Sequence, residues 1–97
     1  MRRFDAFIAG AGAAGMFCAV QLGWRGKSVA VIEHSGCQGR KLMITGKGRC
    51  NVTNNCTADT VMKNIPRNSK FMYSALSRFA PEDVMSFFEC LGVELKT

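Results

Sequence analysis

The feature that most constrains this chain is the run Gly10-Ala11-Gly12-Ala13-Ala14-Gly15, set between an apolar stretch at residues 4–9 and a helix-favouring stretch. The apolar stretch alone is compatible with strand or helix. Glycines this dense force a sharp turn, and that favours a strand ending at Gly10. Residues 13–25 are rich in alanine, methionine, glutamine and leucine, and Gly26 offers a C-terminal stop, so a helix is predicted there, with Gly23 a weak point in its last turn. Residues 28–33, Ser-Val-Ala-Val-Ile-Glu, are apolar without alternation, the pattern of a strand buried on both faces of a parallel sheet. The order is strand, glycine turn, helix, second parallel strand.

Each glycine then has a physical task. Gly10 permits the tight turn, Gly12 lets backbone approach a pyrophosphate with no Cβ in the way, and Gly15 lets the helix pack close to the strands. The start of the helix offers unpaired N–H groups and partial positive charge to phosphate. Glu33 follows Gly15 by 18 residues, where a carboxylate can accept the ribose hydroxyls of an adenosine and would repel a 2′-phosphate. The pattern points to an adenine dinucleotide. A purely structural glycine turn is the alternative.

At 97 residues the chain is at most one domain. A chain this short buries roughly 65% of its unfolded surface, too little to cover both faces and both edges of a parallel sheet. Its last residues, Leu95-Lys96-Thr97, fall inside an apparent strand. Residues 1–97 therefore read as an N-terminal fragment of a larger protein. With 47% hydrophobic and 21% charged residues the chain is globular. The net charge of +6 is uneven: no acid occurs between Glu33 and Asp59, where Arg40, Lys41, Lys47 and Arg49 fall, while five acids balance five bases from Asp59 onward. That excess suits an anion, either nucleic acid or a dinucleotide phosphate. The five cysteines are irregularly spaced and imply no disulfide framework, so a reducing cytoplasm is expected. Cys18 and Cys90 fall in helical apolar patterns and are expected to be buried. Met1-Arg2-Arg3 before an apolar region imitates a signal peptide, but glycines interrupt that region and no cleavage pattern follows; neither secretion nor membrane insertion is expected.

Residues 34–58 read as a long loop broken by Gly36, Gly39, Gly46 and Gly48, with one short turn at Leu42-Met43-Ile44. A loop of that length is uncommon in a compact domain unless it wraps a ligand. Beyond it a helix is predicted over residues 70–79, capped by Asn68 or Ser69, with Phe71, Ala75 and Phe79 on one stripe. Pro81 opens another helix, with Glu82 and Asp83 in its first turn and Val84, Phe87, Phe88 and Leu91 facing a core. Gly92 ends that helix, and residues 93–95 are expected to start a third strand.

The glycine turn together with Gly39-Arg40-Lys41-Leu42-Met43-Ile44-Thr45-Gly46-Lys47-Gly48-Arg49-Cys50-Asn51-Val52-Thr53-Asn54 resembles the YhiN/BaiN-type flavoproteins, bacterial NAD(P)/FAD-dependent oxidoreductases also described as aminoacetone oxidase-like. The stretch RNSKFMYSALSRFAPEDVMSFFECLGVELK is similar to theirs too, so the resemblance spans nearly the whole chain. It departs at Lys47, where glycine is usual, and around Ser35-Gly36-Cys37, where lysine and proline are common. The resemblance implies an α/β fold, a Rossmann-like FAD-binding domain of the glutathione-reductase type with three layers and a parallel sheet, interrupted by a second domain; residues 1–97 would be the N-terminal portion of that FAD/NAD(P)-binding domain, with its remainder and the second domain beyond this chain. By that analogy the whole chain would run to roughly four hundred residues. Carried over by position, Gly10, Gly12, Ala14 and Gly15 would cradle the FAD pyrophosphate and Glu33 would hold the adenosine ribose. Arg40 and Lys41 would lie near the adenosine and phosphates, and Gly48, Arg49, Cys50 and Asn51 would run toward the flavin. NAD(P)H is a possible electron donor.

The residues agree in kind: glycines and bases give close backbone approach and charge-assisted hydrogen bonds to phosphate, and Asn51, Thr53 and Asn54 offer polar contacts. Three rivals use the same chain. Cys50 and Cys56 resemble the redox pair of disulfide-reducing flavoenzymes, but five residues separate them instead of four, and no helix is expected after the second. His34, Cys37, Cys50 and Cys56 form a loose zinc set, and no metal is expected. A non-enzymatic nucleotide- or nucleic-acid-binding module gains from the charge but loses because aromatics are not interleaved with the loop's bases. The expected partner is a small-molecule substrate, without nucleic acid or membrane. Catalytic residues, substrate and oligomeric state are not legible in these residues.

Overall fold

The computed structural model describes residues 2–44 and 51–97. The chain divides into two compact units, Met1–Asn51 and Val52–Thr97.

The first unit is a βαβ motif with a short helix appended: β1 (Ala6–Ala9), α1 (Ala13–Trp24), β2 (Val29–Ile32) and α2 (Arg40–Ile44). β1 and β2 pair in parallel, with Ala6 opposite Val29 and Ala9 opposite Ile32. A parallel pair requires a crossover, and α1 supplies it, packing against both strands. The helix stops where glycine was expected to stop it. Gly26 has φ +75°; its N–H donates to the Gly23 carbonyl, 3.0 Å, and the Lys27 N–H donates to the Leu22 carbonyl, 3.0 Å, a Schellman closure. At the start of the sheet Asp5 is braced by Ser28, whose N–H donates to Asp5 Oδ2 at 2.9 Å while the Asp5 N–H donates to the Ser28 carbonyl at 2.9 Å. The hydrogen bonds the carboxylate accepts, first from the Ser28 backbone N–H and then from the Ser28 hydroxyl at 3.2 Å, hold the Asp5 carboxyl below its usual pKa.

Only one face of this sheet is covered within the unit. Phe7, at 65% exposure, and also Val31 and Ile32 are exposed, contrary to a strand buried on both sides. The reason is topological: one helix reaches at most one face of two strands, and because the successive residues Val31 and Ile32 point to opposite faces, even that face is covered only in part. Cys18, expected to be buried, is exposed as well. Among the described residues of this unit the apolar side chain buried outright is that of Ala11, at 3% exposure, inside the glycine turn.

The second unit is helical: α3 (Ala58–Lys63), a 3-10 turn over Ser69–Met72, α4 (Tyr73–Arg78) and α5 (Pro81–Cys90). The loop expected to reach residue 58 thus ends in a helix the sequence reading did not include. Its signal is Thr57, whose hydroxyl accepts the Thr60 N–H at 3.2 Å, with Asp59 favourably in the first turn. The helix predicted over residues 70–79 is split. Asn68 takes a left-handed conformation, φ +52°, and its side chain caps nothing; its carbonyl accepts the Phe71 N–H at 3.0 Å, which winds the next residues into the tighter turn. Phe71 is 85% exposed, so its stripe does not face a core in this unit. α5 starts at Pro81 as expected, with the Asp83 carboxylate accepting the Ala80 N–H at 2.8 Å, and ends at Gly92, φ +87°. Cys90 is exposed. Residues 93–95 form no strand. The Val93 N–H instead donates to the Phe88 carbonyl, 3.1 Å, closing α5, and a strand exists only where a neighbour takes its backbone groups. No described helix is long and apolar enough to cross a membrane.

Candidate functional site

The turn between β1 and α1 is built as its glycines demand. Gly10 has φ +104°, a region that side chains rarely adopt. Its N–H continues the sheet by donating to the Ile32 carbonyl at 2.7 Å. A Cβ on Gly15 would collide with the Gly10 carbonyl oxygen and lie 3.3 Å from Ile8 Cγ2, so α1 approaches β1 more closely than any side chain there allows. Gly12 is different. It is the N-cap of α1, in ordinary extended conformation, and a Cβ there would meet nothing within 4 Å. No side chain caps α1 and no acid occupies its first turn. The first intrahelical bond runs from the Met16 N–H to the Gly12 carbonyl at 2.9 Å. The N–H groups of the first turn, Ala14 included, therefore lack intrahelical partners above an open cradle.

Ala11 is where the site is tied together, and sequence reasoning passed over it as a spacer. Its N–H donates to Glu33 Oε1 at 2.8 Å, and its carbonyl accepts the Gly39 N–H at 2.7 Å. Glu33 follows directly on β2, so the sheet register carries it to the turn. Its second oxygen, Oε2, accepts the Ser35 N–H at 2.9 Å. The side chain is 19% exposed, and the exposed His34 ring lies 3.5 Å from Oε2. Hydrogen bonds from Ala11 first, then Ser35, lower the Glu33 pKa from 4.5 to about 2, so the carboxylate is ionised throughout the neutral range. Each oxygen accepts one backbone N–H, and a carboxylate oxygen can accept a further donor. Ser35, like Ala11, was missed; its bond to Glu33 is a local turn two residues long, whereas the Ala11 bond spans 22 residues.

Gly39 is buried, with φ +67° and room for a Cβ only 3.2 Å from Met16 Cε. It leads into α2, so Arg40 and Lys41, both exposed, begin one residue from the Ala11 contact. The structure thus brings Gly10, Gly12, Ala14, Gly15, Glu33, Arg40 and Lys41 to one end of the sheet, the carboxyl ends of both strands. Gly48, Arg49 and Cys50 lie outside the described residues. Asn51 is exposed, and no hydrogen bond among the described residues joins it to the turn.

The cradle suits a dinucleotide: an open Gly12, an uncapped helix start, a fixed carboxylate and two adjacent cations. The HI0933-like protein Rossmann domain model matches residues 4–97. The chain belongs to the HI0933-like Rossmann family. The β-α-β geometry and the resemblance carried by the loop therefore agree. Among relatives, the ribosomal RNA dihydrouridine synthase of Escherichia coli K12 is 41% identical over 93 residues, covering 96% of this chain and 23% of that protein. The ribosomal RNA dihydrouridine synthase of Haemophilus influenzae is 42% identical over 86 residues, covering 89% of this chain and 21% of that protein. The chain spans less than a quarter of the length of these curated relatives.

These relatives correct one expectation. A partner set without nucleic acid was inferred from a basic loop lacking aromatics, yet both relatives are named for chemistry on ribosomal RNA. The inference failed because the composition of one loop carries no information on whether a macromolecule is gripped elsewhere on the protein. The cysteine pair also needs restating. α3 begins two residues after Cys56, so a helix does follow the second cysteine. Cys56 lines an open groove of about 400 Å³ with Thr57, Ala80, Glu82 and Met85. Cys50 lies outside the described residues. Among the described residues no group of three or more His, Cys, Asp or Glu side chains could hold a metal ion.

Proposed function

We propose that this HI0933-like segment holds FAD in an oxidoreductase that reduces uridine in ribosomal RNA to dihydrouridine. The observation that carries the cofactor reading is the cradle itself: an open Gly12 and an uncapped α1 directly beside a fixed, ionised Glu33. The relatives named ribosomal RNA dihydrouridine synthase, aligned over almost all of this chain, support the substrate. FAD, when bound, would supply in its reduced form the two electrons that, with two protons, saturate the uracil ring, having first taken them from NAD(P)H.

The chain's own residues do the holding. Gly10, Gly12, Ala14 and Gly15 give the pyrophosphate backbone N–H groups and the positive end of α1. Glu33 accepts the adenosine ribose hydroxyls with the lone pairs that Ala11 and Ser35 leave unused. Its charge excludes a 2′-phosphate, which selects FAD over a phosphorylated dinucleotide at this site. Arg40 and Lys41, poised beside the turn, offset phosphate charge, and Gly48, Arg49, Cys50 and Asn51 continue toward the flavin. NAD(P)H is the proposed electron donor, and the bacterial cytoplasm the proposed setting.

The test uses the full-length protein. It is expected to purify with flavin absorbance, to release FAD on denaturation, and to convert uridine in unmodified ribosomal RNA transcripts to dihydrouridine when NAD(P)H is added, read by mass spectrometry of nucleosides. A colourless protein that cannot be reconstituted with FAD refutes the cofactor reading. A flavinylated protein that leaves every ribosomal RNA uridine unchanged refutes the substrate.

A further inference from the structure

The cofactor cradle does not account for the charge of its own unit. Residues 1–51 contain eight of the chain's thirteen bases and two of its seven acids, so the entire +6 excess lies there. Of the six bases described in that unit, Arg40 and Lys41 stand at the cofactor end. The other four, Arg2, Arg3, Arg25 and Lys27, are all exposed and collect at the opposite end. Topology puts them together. Arg2 and Arg3 lead into β1, while Arg25 and Lys27 lie in the turn that leads into β2, and the two strands run parallel. The amino ends of both strands and the carboxyl end of α1 therefore meet there, braced by the hydrogen bonds between Asp5 and Ser28. The two acids of the unit are both engaged by backbone: Asp5 by Ser28 and Glu33 by Ala11 and Ser35.

An aromatic side chain joins the cations. Trp24, the last residue of α1, is 61% exposed and immediately precedes Arg25. Exposed tryptophan interleaved with arginine and lysine is the arrangement that binds single-stranded RNA, the cations meeting phosphates and the ring stacking on a base. Loop 39–54 lacked this pairing; the α1–β2 turn has it.

We propose that Arg2, Arg3, Trp24, Arg25 and Lys27 form an RNA-contact end that grips the ribosomal RNA substrate away from the reacting uridine. The inference rests on the ribosomal RNA reading above. Because the cofactor occupies the carboxyl ends of the strands and this contact occupies the amino ends, RNA and FAD bind the unit simultaneously without competing for a residue.

The experiment measures binding of full-length, FAD-loaded protein to unmodified ribosomal RNA transcripts across a salt series. Replacing Arg2, Arg3, Arg25 and Lys27 together by Gln is expected to leave FAD content unchanged. It should reduce the slope of log affinity against log salt by about 3, each lost phosphate contact contributing about 0.7 on single-stranded RNA. If that variant does not fold, Arg25→Gln with Lys27→Gln, both beyond the end of α1, should show about half the change. Trp24→Ala should weaken binding on the order of tenfold with the slope unaltered, and Trp24→Phe should restore most of it. Wild-type protein that does not bind the transcripts overturns the ribosomal RNA reading and this contact with it. Wild-type protein that binds, with charge variants of unchanged slope, overturns the contact end alone.

Discussion

Replacing Gly12 by valine separates fold from function at the cradle, because the structure allows one and forbids the other. Gly12 has φ −80° and ψ −169°, extended backbone open to any residue, and a Cβ there meets no protein atom within 4 Å. The unliganded protein should tolerate valine at a cost of about 1 kcal/mol, because Gly12 is the N-cap of α1 and valine is a poorer cap than glycine. FAD should not tolerate it. The valine methyls project over the N–H groups at the start of α1, where the pyrophosphate is proposed to sit. Losing two charge-assisted hydrogen bonds at about 1.5–3 kcal/mol each amounts to about 3–6 kcal/mol, or affinity weaker on the order of 10²- to 10⁴-fold. Gly15→Ala provides the contrast. Its Cβ drives into the Gly10 carbonyl oxygen, and relieving that overlap costs about 1–3 kcal/mol or more whether or not FAD is present. The assay is flavin titration of full-length apoprotein beside its thermal unfolding. Gly12→Val with native FAD affinity would refute a pyrophosphate at this turn. Gly12→Val with a collapsed apoprotein melting temperature would refute the open cradle.

Glu33 makes the turn sensitive to acid. Its folded pKa, about 2, lies below the ordinary 4.5, so the brace to Ala11 and Ser35 contributes fully above about pH 4.5 and is lost as pH falls toward 2. Unfolding of the apoprotein followed against pH should show an acid limb in the wild type that flattens in Glu33→Gln; parallel profiles would remove the brace. Thr57→Ala deletes the cap on α3 and should destabilise that helix by about 1 kcal/mol, read as faster amide exchange over residues 58–63. Gly92→Ala forces a side chain to φ +87° and should cost about 1 kcal/mol, seen as a lower melting temperature. Cys56→Ser should leave turnover intact, and loss of thiol-dependent activity would instead make Cys56 part of a redox pair.

What could be read from the sequence was local. α1 ends at Gly26 and α5 begins at Pro81 and ends at Gly92 because a cap depends on residues within one turn, and those residues are written side by side. The strand–turn–helix–strand order was legible for the same reason, and so was the resemblance that led to the family. The failures were also physical. Propensity favoured one helix over residues 70–79, but a single left-handed residue, Asn68, started a tighter turn. Residues 93–95 look like a strand, but a strand needs a partner's backbone, and Val93 gave its N–H to the end of α5. The loop's lack of aromatics said nothing about RNA, because one loop's composition does not describe the rest of the unit, whose exposed tryptophan and neighbouring cations lie at the other end.

By itself, then, the amino-acid order determined where the chain turns, which glycines cannot carry a side chain, and that an acid ends the second strand. Only the tertiary structure decided what that acid does. Glu33 and Ala11 are 22 residues apart, and the parallel register of β1 and β2, not any local preference, brings the carboxylate to the turn's N–H. The same register gathers Arg2, Arg3, Arg25 and Lys27 at the opposite end. Hydrogen bonds and charges act over a few ångströms of space, and distance in space is set by pairing between strands, which no short stretch of sequence contains.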